Sequence, residues 1–184
     1  MSPKPAPEIE RHVALLRGIN LGPHNKLPMP ALCAVIESLG ARNVKHYIQS
    51  GNIAFEGPQK LLKGFGPRLS AVIAERWGHQ VPVVVRARKA ISAAIAANPF
   101  LERGGEPKAL HVAFLADAPS ASRAAALEPD RSPGDEFAVV GSEIFLLLPN
   151  GVARSKLTND YFDRALGTVC TIRNWNTVQK LSEL

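Results

Sequence analysis

Four short stretches of this chain concentrate hydrogen-bond donors. The first holds Arg17, Asn20, His24, Asn25 and Lys26, and the second holds Gln49, Ser50 and Asn52. The third holds Arg154, Ser155, Lys156, Thr158 and Asn159, and the fourth holds Arg173, Asn174, Trp175, Asn176 and Thr177. Guanidinium, ammonium, amide and hydroxyl groups of this kind can surround a negative charge. The chemistry they suit is the binding of phosphate, carboxylate or another small anion, such as a nucleotide or a phosphorylated metabolite. They do not suit a hard metal ion, which needs oxygen ligands and negative charge. His24 is the one evident general base among them. Asn, Ser and Thr also serve turns and helix caps, so each of them has a structural reading as well. Thr158 or Asn159 would cap a helix ahead of Tyr161. Asn176, with Gln179 three positions on, would form a capping box. Arg17, Lys26, Lys156 and Arg173 are harder to assign to turns.

Covalent chemistry finds little support. No G-x-S-x-G elbow occurs, and Ser50 lies in Gln-Ser-Gly-Asn instead. Neither a phosphate-binding G-x-x-x-x-G-K-[ST] loop nor a dinucleotide G-x-G-x-x-G is present, so no cofactor is named. The two cysteines, Cys33 and Cys170, read as core or inert residues. The histidines at 12, 24, 46, 79 and 111 lack ligand spacing, which argues against zinc.

The elements that must position these groups follow from hydrophobic period and turn residues. His12–Ile19 reads as a strand, followed by a polar loop and a helix from Pro30 that stops at Gly40. Val44–Ile48 and 52–56 read as strands joined through Gly51 in a hairpin. A helix fits 60–77, although Gly64, Gly66 and Pro67 interrupt its start, and Val81–Ala87 reads as a strand. A short helix near 90–97 and a loop over 98–108 form a joint. The pattern then recurs: strand 109–116, helix 120–128, strands 136–140 and 143–148 joined at Gly141-Ser142, helix 159–167, strand 168–172, and a terminal helix over 176–184.

This order is β-α-β-β-α-β twice. It implies an α+β fold of two ferredoxin-like halves in tandem with a C-terminal helix. The expected divisions are a disordered tail at 1–10, a first half at 11–89, a joint at 90–108 and a second half at 109–184. In such a half, the loop after the first strand and the hairpin between the second and third share one end. Arg17–Lys26 and Gln49–Asn52 should therefore converge. The loop at 154–159 and the strand end at 173–177 should share one end of the second half.

Composition sets the outer bounds. With 184 residues, 46% of them hydrophobic, the chain can bury a sizeable core without disulfides. It holds no apolar run of membrane-spanning length, and its proline-rich start lacks a secretory pattern, so a cytoplasmic location is expected. Residues 1–92 carry 13 Lys/Arg against 5 Asp/Glu, while residues 93–184 carry 9 against 11. A basic half can attract phosphates, nucleic acid or acidic partners. A nucleic-acid-binding module is thus an alternative, and a protein–protein interaction module is another. Base stacking has weak support: on the matching strand only Phe55 is aromatic, and its parity with Ile53 turns it towards the helices.

The stretches LLRGINLGPHNKLPM (15–29), YIQSGNIAFEG (47–57), RSKLTNDYFDRALG (154–167) and TIRNWNTVQKL (171–181) together resemble the bacterial domain of unknown function 1697 family. The likeness runs from Val13 to Leu184. Its motif positions match at Arg17, Gly18, Asn20, Asn25, Lys26, Gln49, Ser50, Gly51, Asn52, Ser155, Lys156, Thr158, Asn159, Arg173, Asn174, Trp175 and Asn176. Pro23-His24 departs from the family's usual glycine-type loop, and proline brings no backbone N–H to that point. The resemblance implies an α+β fold and carries no activity, substrate or cofactor with it.

Overall fold

The computed structural model describes residues 8–184. Most of the expected tail, residues 1–7, lies outside the described residues. The chain divides into two compact units, one reaching to Lys89 and the other spanning Ala90–Glu183.

In the first unit the elements are β1 (Ile9–Leu16), α1 (Met29–Ser38), β2 (Arg42–Tyr47), β3 (Asn52–Pro58), a 3-10 turn (Gln59–Leu62), α2 (Phe65–Trp77) and β4 (Val83–Ala87). Then come α3 (Arg88–Ala96) and α4 (Pro99–Glu102), within the stretch expected as a joint. The second unit continues with β5 (Leu110–Leu115), α5 (Ala121–Ala125), β6 (Glu136–Val140), β7 (Glu143–Leu147), α6 (Asn159–Leu166), β8 (Cys170–Asn174) and α7 (Trp175–Glu183). There are two four-stranded antiparallel sheets, ordered β2-β3-β1-β4 and β6-β7-β5-β8. The fold is thus mixed α+β.

Three expectations need correction. β1 begins at Ile9 and ends at Leu16 rather than spanning 12–19, because Gly18 (φ 69°) and Asn20 (φ 53°) leave strand geometry. Ile19 is still buried, but from the loop. The single helix expected over 60–77 is two pieces. Gly64, at φ 68°, breaks the chain in a left-handed conformation before α2 starts. The terminal helix starts at Trp175 and is capped by Asn174, whose Oδ1 accepts from Thr177 N at 2.9 Å, so Asn176 is not the cap.

Each sheet packs one face against its own helices. In the first unit Ala14, Leu16, Ile53, Phe55 and Val83 meet Leu32, Val35 and Ile36 of α1 and Phe65, Leu69 and Ile73 of α2. Phe55 stacks on Phe65 with centroids 5.0 Å apart and is buried, so it offers no surface to a base. In the second unit Ala113, Leu115, Ile144 and Leu146 meet Tyr161, Phe162 and Leu166 of α6. The other faces are buried too, at Val13, Leu15 and Val84 and at Val112, Phe114 and Phe145. That is why β1 and β5 read as continuous apolar runs.

His111 lies on the buried side of β5, and its Nδ1 is 3.3 Å from the carbonyl of Ala109. Burial pushes its ring pKa down, against a smaller upward pull from that carbonyl. The unfolded chain, with a histidine pKa of about 6.5, therefore takes the proton first as pH falls. Stability should be lost from about pH 6.5 downward and level off below the folded pKa. In urea denaturation at about pH 7.5 and about pH 5.5, His111→Gln should show a smaller acid loss than the wild type. An equal loss in both proteins would assign the slope to other groups.

Candidate functional site

The loop after β1 and the β2–β3 hairpin meet at one end of the first sheet. Register dictates this: Leu15 pairs with Asn52, and Tyr47 pairs with Asn52 across the hairpin. The link is then made by side chains. Asn20 Oδ1 accepts from Leu27 N at 2.9 Å. Its Nδ2 donates to the carbonyls of Leu27 at 3.2 Å and Gln49 at 3.1 Å. One amide thus uses both donor hydrogens and its oxygen to tie residue 20 to residue 27 and to the hairpin. Asn25 adds a second tie, its Nδ2 donating to Gly18 O at 3.0 Å, while Asn20 N donates to Asn25 O at 3.1 Å. Both asparagines sit in the left-handed region, at φ 53° and 47°, which Asn tolerates better than most residues.

Gly51 closes the junction. Leu16 N donates to its carbonyl at 2.8 Å, and a Cβ on Gly51 would sit 2.5 Å from Leu16 O. With φ at 82°, only glycine fits there.

The expected site residues fall into two groups on this rim. Asn20, Asn25 and Asn52 point into the structure, and Asn52 is buried with its Nδ2 donating to Ser50 Oγ at 3.0 Å. Lys26 and Gln49 are exposed, Arg17 is half-buried, and His24 stands exposed beside them. Positive φ recurs at every second residue from Gly18 through Asn20 to Gly22, with open space beside both glycines. Within the loop the N–H of Asn20 is committed to Asn25 O at 3.1 Å and that of His24 to Leu21 O at 3.3 Å.

Two rim residues have side chains with no hydrogen-bonding group. Ile48 adopts φ 51° and is 50% exposed, and Leu21 is 62% exposed. A β-branched residue in the left-handed region is an outlier whose strain is of order 1–3 kcal/mol. Nothing in the residue types signals that strain.

In the second unit the two polar stretches also share one end, since Leu147 and Asn174 flank the start of β5. Here the side chains are largely structural. Thr158 Oγ1 caps α6 by accepting from Tyr161 N at 3.2 Å. Ser155 Oγ accepts from Leu157 N at 3.0 Å. Asn159 Oδ1 accepts from Ile172 N at 3.0 Å, and Asp163 Oδ1 from Cys170 N at 2.7 Å. Trp175 is buried. The Arg173 guanidinium donates to Ile172 O at 3.2 Å, and burial pushes its pKa down to about 10, so it stays charged at neutral pH. Lys156 is exposed, while its backbone N–H donates to Ser132 Oγ at 3.0 Å. Arg131 covers the Tyr161 ring, with its guanidinium carbon 4.1 Å from the centroid.

Among the described residues no cluster of three or more His, Cys, Asp or Glu is placed to hold a metal ion. No helix among them is long and apolar enough to cross a membrane. A concavity of about 490 Å³, lined by Pro58, Lys60, Leu61, Lys63 and Arg68, lies at the opposite end of the first sheet from the rim.

These features define an α+β protein of two antiparallel sheets, with polar clasps at the strand ends. The chain belongs to the family described as Protein of unknown function (DUF1697), which it matches over residues 9–145. It is also similar in structure to a solved chain described as conserved bacterial protein SP0830 from Streptococcus pneumoniae. The TM-score is 0.72 and the identity 21%, over 96% of this chain and 98% of that one. That likeness bears on the fold alone. No curated protein matches the chain.

Removing the Asn20 side chain should be costly, because it strands one N–H and two carbonyls. Asn20→Ala should lower stability by about 2–3 kcal/mol in urea denaturation. Asn20→Gly keeps the backbone freedom and loses the same bonds, so a near-wild-type Asn20→Gly would show that the clasp carries little.

Proposed function

We propose that the protein binds a small anionic ligand, a nucleotide or phosphorylated metabolite, at the rim formed by residues 17–26 and 48–51. The observation that carries this reading is the clasp made by the amides of Asn20 and Asn25, which ties the loop bearing Lys26 to the hairpin bearing Gln49 and leaves both of those side chains exposed. A loop fixed in this way needs little further ordering on binding. Lys26, Gln49 and Arg17 then supply charge and directed hydrogen bonds around the same space, with His24 alongside. Asn20, Asn25 and Asn52 act as the scaffold of the site rather than as its contacts.

In this reading the second polar end, with Lys156, Thr158, Asn159, Arg173, Asn174 and Trp175, plays a mainly structural part. Each unit reads as a ferredoxin-like half, supported by its element order and by the strand order β2-β3-β1-β4 and its counterpart. The halves correspond to residues 11–89 and 109–184 with a joint at 90–108. The protein works in the cytoplasm, and its basic first half draws the anion in by its field. The nucleic-acid alternative loses its stacking platform, since Phe55 is packed inside.

Thermal shift and calorimetry with inorganic phosphate, pyrophosphate, nucleotides and sugar phosphates check the proposal. A ligand at 100 times its Kd should stabilise the protein by about 2.7 kcal/mol. Lys26→Ala should weaken binding by about tenfold, the loss of one charge-assisted hydrogen bond. No shift with any anion, or shifts that Lys26→Ala and Gln49→Ala leave untouched, would rule the rim out.

A further inference from the structure

Ile48 is unfavourable twice over for the unliganded protein. Its backbone holds a left-handed conformation that β-branched residues avoid, and half of its surface faces solvent. Glycine or asparagine would occupy that turn with less strain. An exposed aliphatic residue alone needs no explanation, but one held in a strained conformation does. Leu21 makes the same end of the unit more apolar, at 62% exposed. The two flank the clasp: Leu21 follows Asn20, Ile48 precedes Gln49, and Asn20 Nδ2 is bonded to Gln49 O at 3.1 Å. Asn20 thus ties together the two backbone segments that carry Leu21 and Ile48, on the rim that also carries the exposed Lys26.

We infer that the rim takes an anion carrying an apolar ring, with the ring covering Ile48 and Leu21 and the charged group beside Lys26 and the 18–22 loop. This rests on the anion-binding reading above and narrows it to a ligand class: ring-bearing phosphates, nucleotides among them, over bare phosphates. Each aliphatic side chain loses exposed area when the ring seats, which compensates the strain held at residue 48. A ligand with charge alone would gain nothing from either residue.

Two pairs of probes matched in charge separate the possibilities: inorganic phosphate with phenyl phosphate, and pyrophosphate with ADP. Binding is measured by calorimetry on the full chain, for the wild type, Ile48→Asn, Ile48→Gly, Leu21→Ser and Lys26→Ala. The expected result is that the ring-bearing member of each pair binds about tenfold more tightly to the wild type. That preference should shrink to within about twofold in Ile48→Asn and Leu21→Ser. The unliganded Ile48 variants should melt no lower than the wild type, because they relieve strain. Lys26→Ala should weaken all four probes. Equal binding within each pair, or a preference that survives both Ile48 variants, overturns this inference and leaves the anion site standing. Absence of binding by all four probes removes the anion site and this inference with it.

Discussion

The geometry of the rim depends on one carboxamide. Asn20 sits where β1 has ended and the chain must turn back towards α1, and its side chain substitutes for the backbone pairing that the sheet no longer provides. It satisfies the N–H and C=O of Leu27 and the C=O of Gln49, three groups that would otherwise be left to water or to each other. No other uncharged side chain of similar size offers an acceptor and two donors in one plane at that reach; aspartate would keep the oxygen and lose both donors. The positive φ at residue 20 belongs to the same solution, since it swings the amide into the loop instead of out to solvent. The loop at 17–28 and the hairpin at 48–51 are consequently tied into one unit, although the whole of residues 29–47 lies between them.

The second unit meets a similar need with a helix. β8 lies at the edge of its sheet, so its outward N–H groups have no strand partner. Asn159 and Asp163, four residues apart on α6, accept from Ile172 N and Cys170 N, two residues apart on β8. The spacing matches: four helical residues rise about 6 Å, and two strand residues advance about 6.6 Å. The helix thereby closes the edge that an exposed strand would present to other chains. Asn159 reads in the sequence as a donor for a ligand, yet its oxygen is committed to this edge.

Element order was legible in the sequence because hydrophobic period and hairpin glycines speak to it directly. From that order came the convergence of the 17–26 loop with the 49–52 hairpin. The bounds were less legible. Ile19 continues the apolar alternation of β1 by type, while its backbone has already left the strand. Asn174 and Asn176 are equally good caps by type, and only the start of α7 at Trp175 decides between them. The division of polar residues into scaffold and surface was not legible at all. Asn25 and Lys26 are neighbours in a donor-rich motif, but one points at Gly18 O and the other at solvent. A list of residue types cannot separate them, because the distinction is made by φ at residue 25.

Ile48 was invisible for the opposite reason. Isoleucine before a Gln-Ser-Gly turn reads as the last residue of a strand, where its β-branch is favoured. The hairpin instead closes at the Tyr47–Asn52 pair, which forces residue 48 into the turn with its β-branch against the preference of the backbone. Local propensity and tertiary register disagree at this one position while agreeing at most others along β1, β2 and β3. Such disagreement is expected where a sequence answers to something besides its own fold. Its location bears on what that is: it lies beside the loop that Asn20 and Asn25 tie down and close to the junction of Gly51 with Leu16. A strained residue on a mobile loop would dissipate its strain through motion; on this rim the backbone at residue 48 adjoins Gln49, whose carbonyl is gripped by the Asn20 amide.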